Sequence, residues 1–359
     1  MELKNKKVFI TGATGFIGGR IAERLWIDHG IKSKCLVRNF SRAARLGRLP
    51  VEMVPGDLLN RSSIEKAVQD CDVIFHCAYG NTDSLAINRH INEQGTKYLA
   101  EIALRNRTKR FLYLSSVAVY GPHPAEKITE ETPTQFSNDE YGNSKIRTER
   151  ICRDFHMKGL PVVVIRPTAV FGPFSPIWTI GAIQRVLVGG WERVQGVDGI
   201  CNAVYVDDLV DSLLLSIKLD KAIGETFIIS GLDTLTWNDF FAEYSKISGM
   251  PKPQSISETR RVLKSHLSSI LRTGVHAARK FADPLIMDFY HRMKDAYPSL
   301  TRTFDSLIRG GIKKNEIEKF SWRTIYSIDK ARRILGYSPR TFAEGMRITA
   351  KWLRHHQYT

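Results

Sequence analysis

The chain has 359 residues, enough for one large hydrophobic core or two joined ones. Hydrophobic residues make up 43 % and charged residues 25 %, an ordinary globular composition, with a basic excess of +16. No apolar run approaches the roughly 18 residues that a membrane span needs. The opening Met1-Glu2-Leu3-Lys4-Asn5-Lys6-Lys7 leads straight into an apolar strand, so no signal peptide is expected. Cys35, Cys71, Cys77, Cys152 and Cys201 are scattered, odd in number and without a CxxC pair, as expected for reduced thiols in a cytoplasmic protein. The histidines show no metal-ligand spacing, so no metal site is expected, and no Gly-x-Ser-x-Gly elbow is present.

Val8-Phe9-Ile10 reads as a buried strand entering a tight turn, Thr11-Gly12-Ala13-Thr14-Gly15-Phe16-Ile17-Gly18. Gly15 to His29 then reads as a helix, with Phe16, Ile17, Ile21, Leu25 and Trp26 on one apolar stripe. Glycines allow a close backbone approach, and the helix start offers free N–H groups and its positive dipole end. This strand-turn-helix suits a dinucleotide's pyrophosphate. Further strands are expected near 33–38, 51–55, 72–78, 110–116 and 162–166, alternating with helices, and Thr226 to Ser230 reads as a late strand. Continuously apolar runs such as Val162-Val163-Val164-Ile165 suit strands covered on both faces. The pattern predicts an α/β fold with a Rossmann-like, doubly wound parallel sheet.

Tyr141-Gly142-Asn143-Ser144-Lys145 places a phenol and an ammonium one helical turn apart. Lys145 is expected to sit under Tyr141 and favour its phenolate, because a nearby positive charge lowers an acid's pKa. The second strand, Cys35-Leu36-Val37, ends in Arg38 rather than an acid, with Ser41 and Arg42 close behind. An acid there would bond the adenosine ribose and repel a 2′-phosphate, whereas a guanidinium can bind that phosphate.

In this order along most of the chain, the residues resemble the extended short-chain dehydrogenase/reductase family. That family includes nucleotide-sugar epimerases and dehydratases, hydroxysteroid dehydrogenases and dihydroflavonol-type reductases. Besides the glycine turn and the Tyr-Lys pair, the likeness rests on Asp57-Leu58, His76-Cys77-Ala78, Asn92-Glu93-Gln94-Gly95-Thr96 and Ser115-Ser116. It continues through Val119-Tyr120-Gly121, Arg166-Pro167, Val170-Phe171-Gly172-Pro173, Tyr205-Val206-Asp207-Asp208-Leu209 and Gly336-Tyr337-Ser338-Pro339. Tyr205 to Leu209 resembles a substrate-domain motif. The resemblance implies catalysis by Ser116, Tyr141 and Lys145, with Ser115 the near alternative to Ser116. It implies cofactor contacts from Gly12, Thr14, Gly15, Phe16, Ile17, Gly18, Arg38, Asp57, Leu58, Ala78, Tyr141, Lys145 and Arg166. NADP(H) is expected over NAD(H), with Arg38 as the main contact and Arg42 secondary.

Two departures narrow the reaction. Val117-Ala118 stands where the family's dehydratases carry Asp-Glu, so elimination is disfavoured. Cys201-Asn202-Ala203 stands where many nucleotide-sugar enzymes carry an Arg-Asp pair, which removes a diphosphate clamp. The expected function is an NAD(P)-dependent oxidoreductase moving hydride between a nicotinamide and a secondary alcohol or ketone. The alternative is a nucleotide-sugar epimerase with tightly held NAD.

The dinucleotide domain is expected at 1–167, completed by about 200–231. A smaller, mostly helical substrate domain is expected at 168–199 and 232–359. Within it, about 252–323 reads as a basic helical insertion. Seven lysines and eight arginines stand there against seven acids, giving +8, half of the chain's excess. Val262, Leu263, Leu267, Ile270, Leu271 and Val275 recur at helical spacing. Such text suits a helix on the protein core or on an anionic membrane surface. No nucleic-acid motif accompanies the charge, so no nucleic-acid partner is expected. A small-molecule substrate and a homodimer are.

Overall fold

Seven short strands form one sheet: β1 (Val8–Thr11), β2 (Lys34–Val37), β3 (Glu52–Pro55), β4 (Val73–His76), β5 (Arg110–Leu114), β6 (Val162–Pro167) and β7 (Thr226–Ile229). Their order is β7-β6-β5-β4-β1-β2-β3, and every neighbouring pair is parallel. This is the doubly wound parallel sheet that the apolar runs predict. β1, β4, β5 and β6 are buried along their whole length, as a sheet covered on both faces requires. The edge strand β3 is half-exposed and carries Glu52 and Pro55. Strand order reverses between β1 and β4, so a crevice opens at their carboxyl ends, where such folds bind ligands.

The computed structural model describes residues 1, 3–122, 126–189, 191, 193–194, 198–251, 255–256 and 314–359. They fall into two units. The first comprises Met1–Phe171, Asn202–Leu232 and Ile325–Phe342. It contains the sheet and the helices α1 (Phe16–His29), α2 (Arg61–Val68), α3 (Leu85–Arg105) and α4 (Glu140–Met157). Its core on one face joins Phe9, Ile74, Phe111 and Val162 of the strands to Ile64, Leu99, Ile102 and Phe155 of the helices. The second unit comprises Gly172–Cys201, Asp233–Thr324 and Ala343–Thr359. Its described part is held by aromatic rings, with Trp191 stacked on Phe241 at 3.8 Å and Trp237 4.8 Å from both Trp178 and Phe320.

Two expectations are corrected. Residues 325–342 belong to the sheet's unit rather than to a C-terminal substrate domain. Ile325–Tyr326 pairs with Lys127–Ile128, the Tyr337 hydroxyl donates to the Ser230 carbonyl at 2.9 Å, and Arg340 pairs with Asp208. Tyr205 to Leu209 is likewise no substrate-domain element. It opens the helix Val206–Lys218 of the same unit, where Asp207 receives the Arg20 Nε–H of α1 at 2.5 Å. Most of the basic insertion, including its apolar stripe, lies outside the described residues. Among the described residues, no helix is long and apolar enough to cross a membrane.

Candidate active site

The glycine turn follows β1 directly. Gly12 has φ +73°, a backbone that side chains rarely adopt, and a Cβ built there would lie 2.7 Å from the Ala78 nitrogen. A Cβ on Gly18 would lie 2.4 Å from the Gly12 carbonyl oxygen. These two glycines close the turn and press α1 against it. Gly15 is exposed and caps α1 without any side-chain bond, and the first turn of α1 carries no acid. The helix's own first turn brings no negative charge to these amide groups and dipole, so the turn fits a pyrophosphate. Thr14, Phe16 and Ile17 are partly exposed around it.

Just beyond β3, Asp57 accepts from the Leu59 N–H at 2.9 Å and lies 3.9 Å from Arg38. Arg38 is 61 % exposed. The neighbouring Asn39 side chain turns back onto the Ser41 N–H at 2.9 Å, so Asp57 is the acid that faces Arg38 at the end of β2. Leu58 is buried and packs close to Gly95. The Ala78 N–H is taken by the Thr11 hydroxyl at 3.3 Å.

β5 stops at Leu114, and the next two residues diverge. The Ser115 hydroxyl is buried and donates to Glu149 at 2.5 Å. Ser116 accepts from the Ala118 N–H at 3.2 Å, capping a short turn over Val117–Tyr120, and its side chain acts on the Tyr141 phenol in the sense that lowers its pKa. Ser115 is committed to Glu149, and Ser116 is the serine whose side chain acts on Tyr141. Tyr141 stands in the first turn of α4, whose cap is Asp139. Tyr141 keeps 38 % of its surface open. Lys145 is 4 % exposed, one turn further on, and its ammonium donates to the Leu114 carbonyl at 2.7 Å.

The electrostatics differ from the helical-spacing argument. Burial pushes the Tyr141 phenol above its ordinary value, against the opposing pull of its bond to Ser116. Lys145 is brought down to about 8, chiefly by burial. Its Nζ lies 4.9 Å from the Tyr113 ring centre, 5.4 Å from that of Tyr79 and 5.9 Å from that of Tyr141. Lys145 therefore does not hold Tyr141 as a phenolate in this structure, because its ammonium is turned to a carbonyl and both groups bear a desolvation cost.

Arg166 also departs from its expected place at the cofactor. It is 3 % exposed, and its Nε and one NH₂ donate to both Glu149 oxygens at 2.9 and 2.6 Å. Its other NH₂ donates to the Tyr120 hydroxyl at 2.7 Å. The guanidinium is satisfied inside the protein, next to Ser115. Tyr79 is the residue that sequence reasoning missed. Its ring meets that of Tyr141 edge-on at 5.0 Å. A phenol, a hydroxyl and a buried ammonium grouped at the end of β5 and the start of α4 can pass a proton to or from an oxygen on a neighbouring carbon.

The model of the NAD dependent epimerase/dehydratase family matches residues 8–230. The chain belongs to that family. It is an extended short-chain dehydrogenase/reductase, as its turn and Tyr-Lys pair lead one to expect. Among curated relatives, it is 26 % identical over 309 residues to a 2-alkyl-3-oxoalkanoate reductase of Shewanella oneidensis, covering 80 % of this chain and 78 % of that one. It is 27 % identical over 239 residues to a UDP-glucose 4-epimerase of Vibrio cholerae, covering 63 % and 70 %. A UDP-glucuronic acid 4-epimerase from Bacillus cereus, solved with UDP-glucuronic acid and NAD, superposes with a TM-score of 0.71. That structure is 19 % identical and covers 98 % of this chain and 99 % of the other, a likeness of fold. Reductases and epimerases thus stand side by side among the family members similar to this chain.

Proposed function

We propose that the protein is an NAD(P)-dependent oxidoreductase that interconverts a secondary alcohol and a ketone. The observation that carries this reading is the pair of Tyr141 and the buried Lys145, whose Nζ lies 5.9 Å from the phenol's ring centre, with Ser116 acting on the same phenol. The glycine turn, the α1 start, Asp57, Leu58 and Ala78 would hold the dinucleotide, and Arg38 would meet a 2′-phosphate, giving NADP(H) preference over NAD(H). When bound, a nicotinamide supplies the hydride acceptor or donor. Ser116 donates to the substrate oxygen and holds it near Tyr141. In reduction Tyr141 gives that oxygen its proton, and in oxidation it takes the proton back. Lys145 provides positive charge beside the phenol and a donor for the nicotinamide ribose. Val117-Ala118 places no acid next to Ser116 to drive elimination. At the expected diphosphate clamp, Cys201 is buried and Asn202 accepts from the Tyr326 N–H at 3.1 Å, so neither supplies a cation.

The test is cofactor turnover with a panel of ketones, steroid-like alcohols and sugar nucleotides. Net change in nicotinamide absorbance with an alcohol or ketone is expected. Interconversion of two sugar nucleotides with no net absorbance change would instead establish an epimerase, which uses the same three side chains.

A further inference from the structure

We infer that His76 is a positioning residue: a buried hydrogen-bond chain through its ring ties the dinucleotide turn to α3, and Asn92 of α3 in turn holds the helix that bears Tyr141 and Lys145. The inference rests on the reading of the turn as a cofactor site.

His76 is the last residue of β4 and is 2 % exposed. Both ring nitrogens are used: Nδ1 lies 2.7 Å from the Thr11 hydroxyl and Nε2 lies 2.8 Å from the Thr96 hydroxyl. The proton positions follow from the partners. Thr96 donates to the Asn92 carbonyl at 2.5 Å, so its oxygen receives the proton of Nε2. A neutral imidazole then presents a lone pair at Nδ1, which accepts from Thr11. The Thr11 oxygen in turn accepts from the Ala78 N–H at 3.3 Å. Each proton points the same way, from Ala78 to the Asn92 carbonyl. Burial holds the imidazole neutral, with its pKa lowered to about 3.

Both ends of the chain matter. Thr11 adjoins Gly12, and Ala78 is the residue against which Gly12 is packed. The chain ends on the Asn92 main-chain carbonyl, and the side chain of the same residue accepts from the Gly80 N–H at 2.7 Å and donates to the Ser144 hydroxyl at 3.1 Å. Ser144 lies between Tyr141 and Lys145 on α4. His76 spends its two nitrogens on hydroxyls of β1 and α3, and the side chain of Asn92, one turn before Thr96 on α3, reaches Ser144 of the proton-transfer helix.

The test uses the full chain and measures the dissociation constants of NADPH and NADH together with the melting temperature. Thr11→Val should weaken cofactor binding about tenfold, since it leaves the Ala78 N–H and the His76 lone pair unsatisfied. Thr11→Ser keeps the hydroxyl and should restore native affinity. Thr96→Val breaks the chain on α3, away from the turn, and should also weaken binding, by about fivefold or more. That variant answers the question if Thr11→Val fails to fold. Native-like affinity in Thr96→Val, or no recovery in Thr11→Ser, overturns the inference while leaving the cofactor reading intact. A native protein that binds neither dinucleotide overturns that reading and the inference with it.

Discussion

Lys145, rather than Tyr141, is the group of the site whose ionisation lies near neutrality. Burial lowers an ammonium and raises a phenol, so Lys145 loses its charge as the pH rises through about 8 while Tyr141 is still protonated. Ketone reduction uses the protonated phenol beside a charged lysine. Its rate should therefore fall as the pH rises through about 8, and the descending limb should vanish in Lys145→Met. A rate that stays flat through that range contradicts this assignment. Arg38 makes a second residue-scale prediction. Charge-assisted bonds are worth about 1.5–3 kcal/mol, so Arg38→Asp should shift the NADPH-to-NADH affinity ratio by roughly ten- to a hundredfold towards NADH. An unchanged ratio would remove Arg38 from the cofactor site. The Tyr-Lys pair was legible in the sequence because helical periodicity alone sets positions four apart on one face. Tyr79 was not, since its contact with Tyr141 depends on how the segment after β4 meets α4. The choice between Ser115 and Ser116 waited on where β5 ends.

At the scale of elements, the parallel strands were legible because each is a run of apolar residues with both faces covered. The sense of Arg166-Pro167 was not, because β6 points the guanidinium at Glu149 of α4, a pairing between elements distant in sequence. Breaking such a buried pair leaves a charge without a partner. Arg166→Leu should cost about 3–5 kcal/mol of stability, read as a lower denaturant midpoint, and a midpoint unchanged from the native protein would refute the pairing as a structural support. The return of residues 325–342 to the sheet's unit also escaped a linear reading, since its anchors, Ser230 and Asp208, lie more than a hundred residues away. Gly12→Ala tests the turn itself. The positive φ and the close Ala78 nitrogen forbid a methyl, so about 1–3 kcal/mol of strain should appear together with loss of dinucleotide binding. Native affinity in that variant would show that the turn does not seat the cofactor.

For the whole molecule, the excess of +16 predicts adsorption to anionic vesicles at low salt and release at high salt, because exposed charges are screened. Equal partition onto neutral and anionic vesicles would assign the basic segment to the protein's own surface. Membership of the family leaves reduction and epimerisation both open, since one fold hosts many reactions. The chemistry therefore rests on the site and on the phenol of Tyr141 above all. The most direct measurement is steady-state nicotinamide absorbance with a ketone substrate, comparing the native protein with Tyr141→Phe at matched melting temperature and cofactor affinity. The account predicts sustained net oxidation of NADPH by the native protein and a loss of roughly 10²–10⁴-fold in turnover for Tyr141→Phe. Full turnover in a well-folded Tyr141→Phe protein would contradict it.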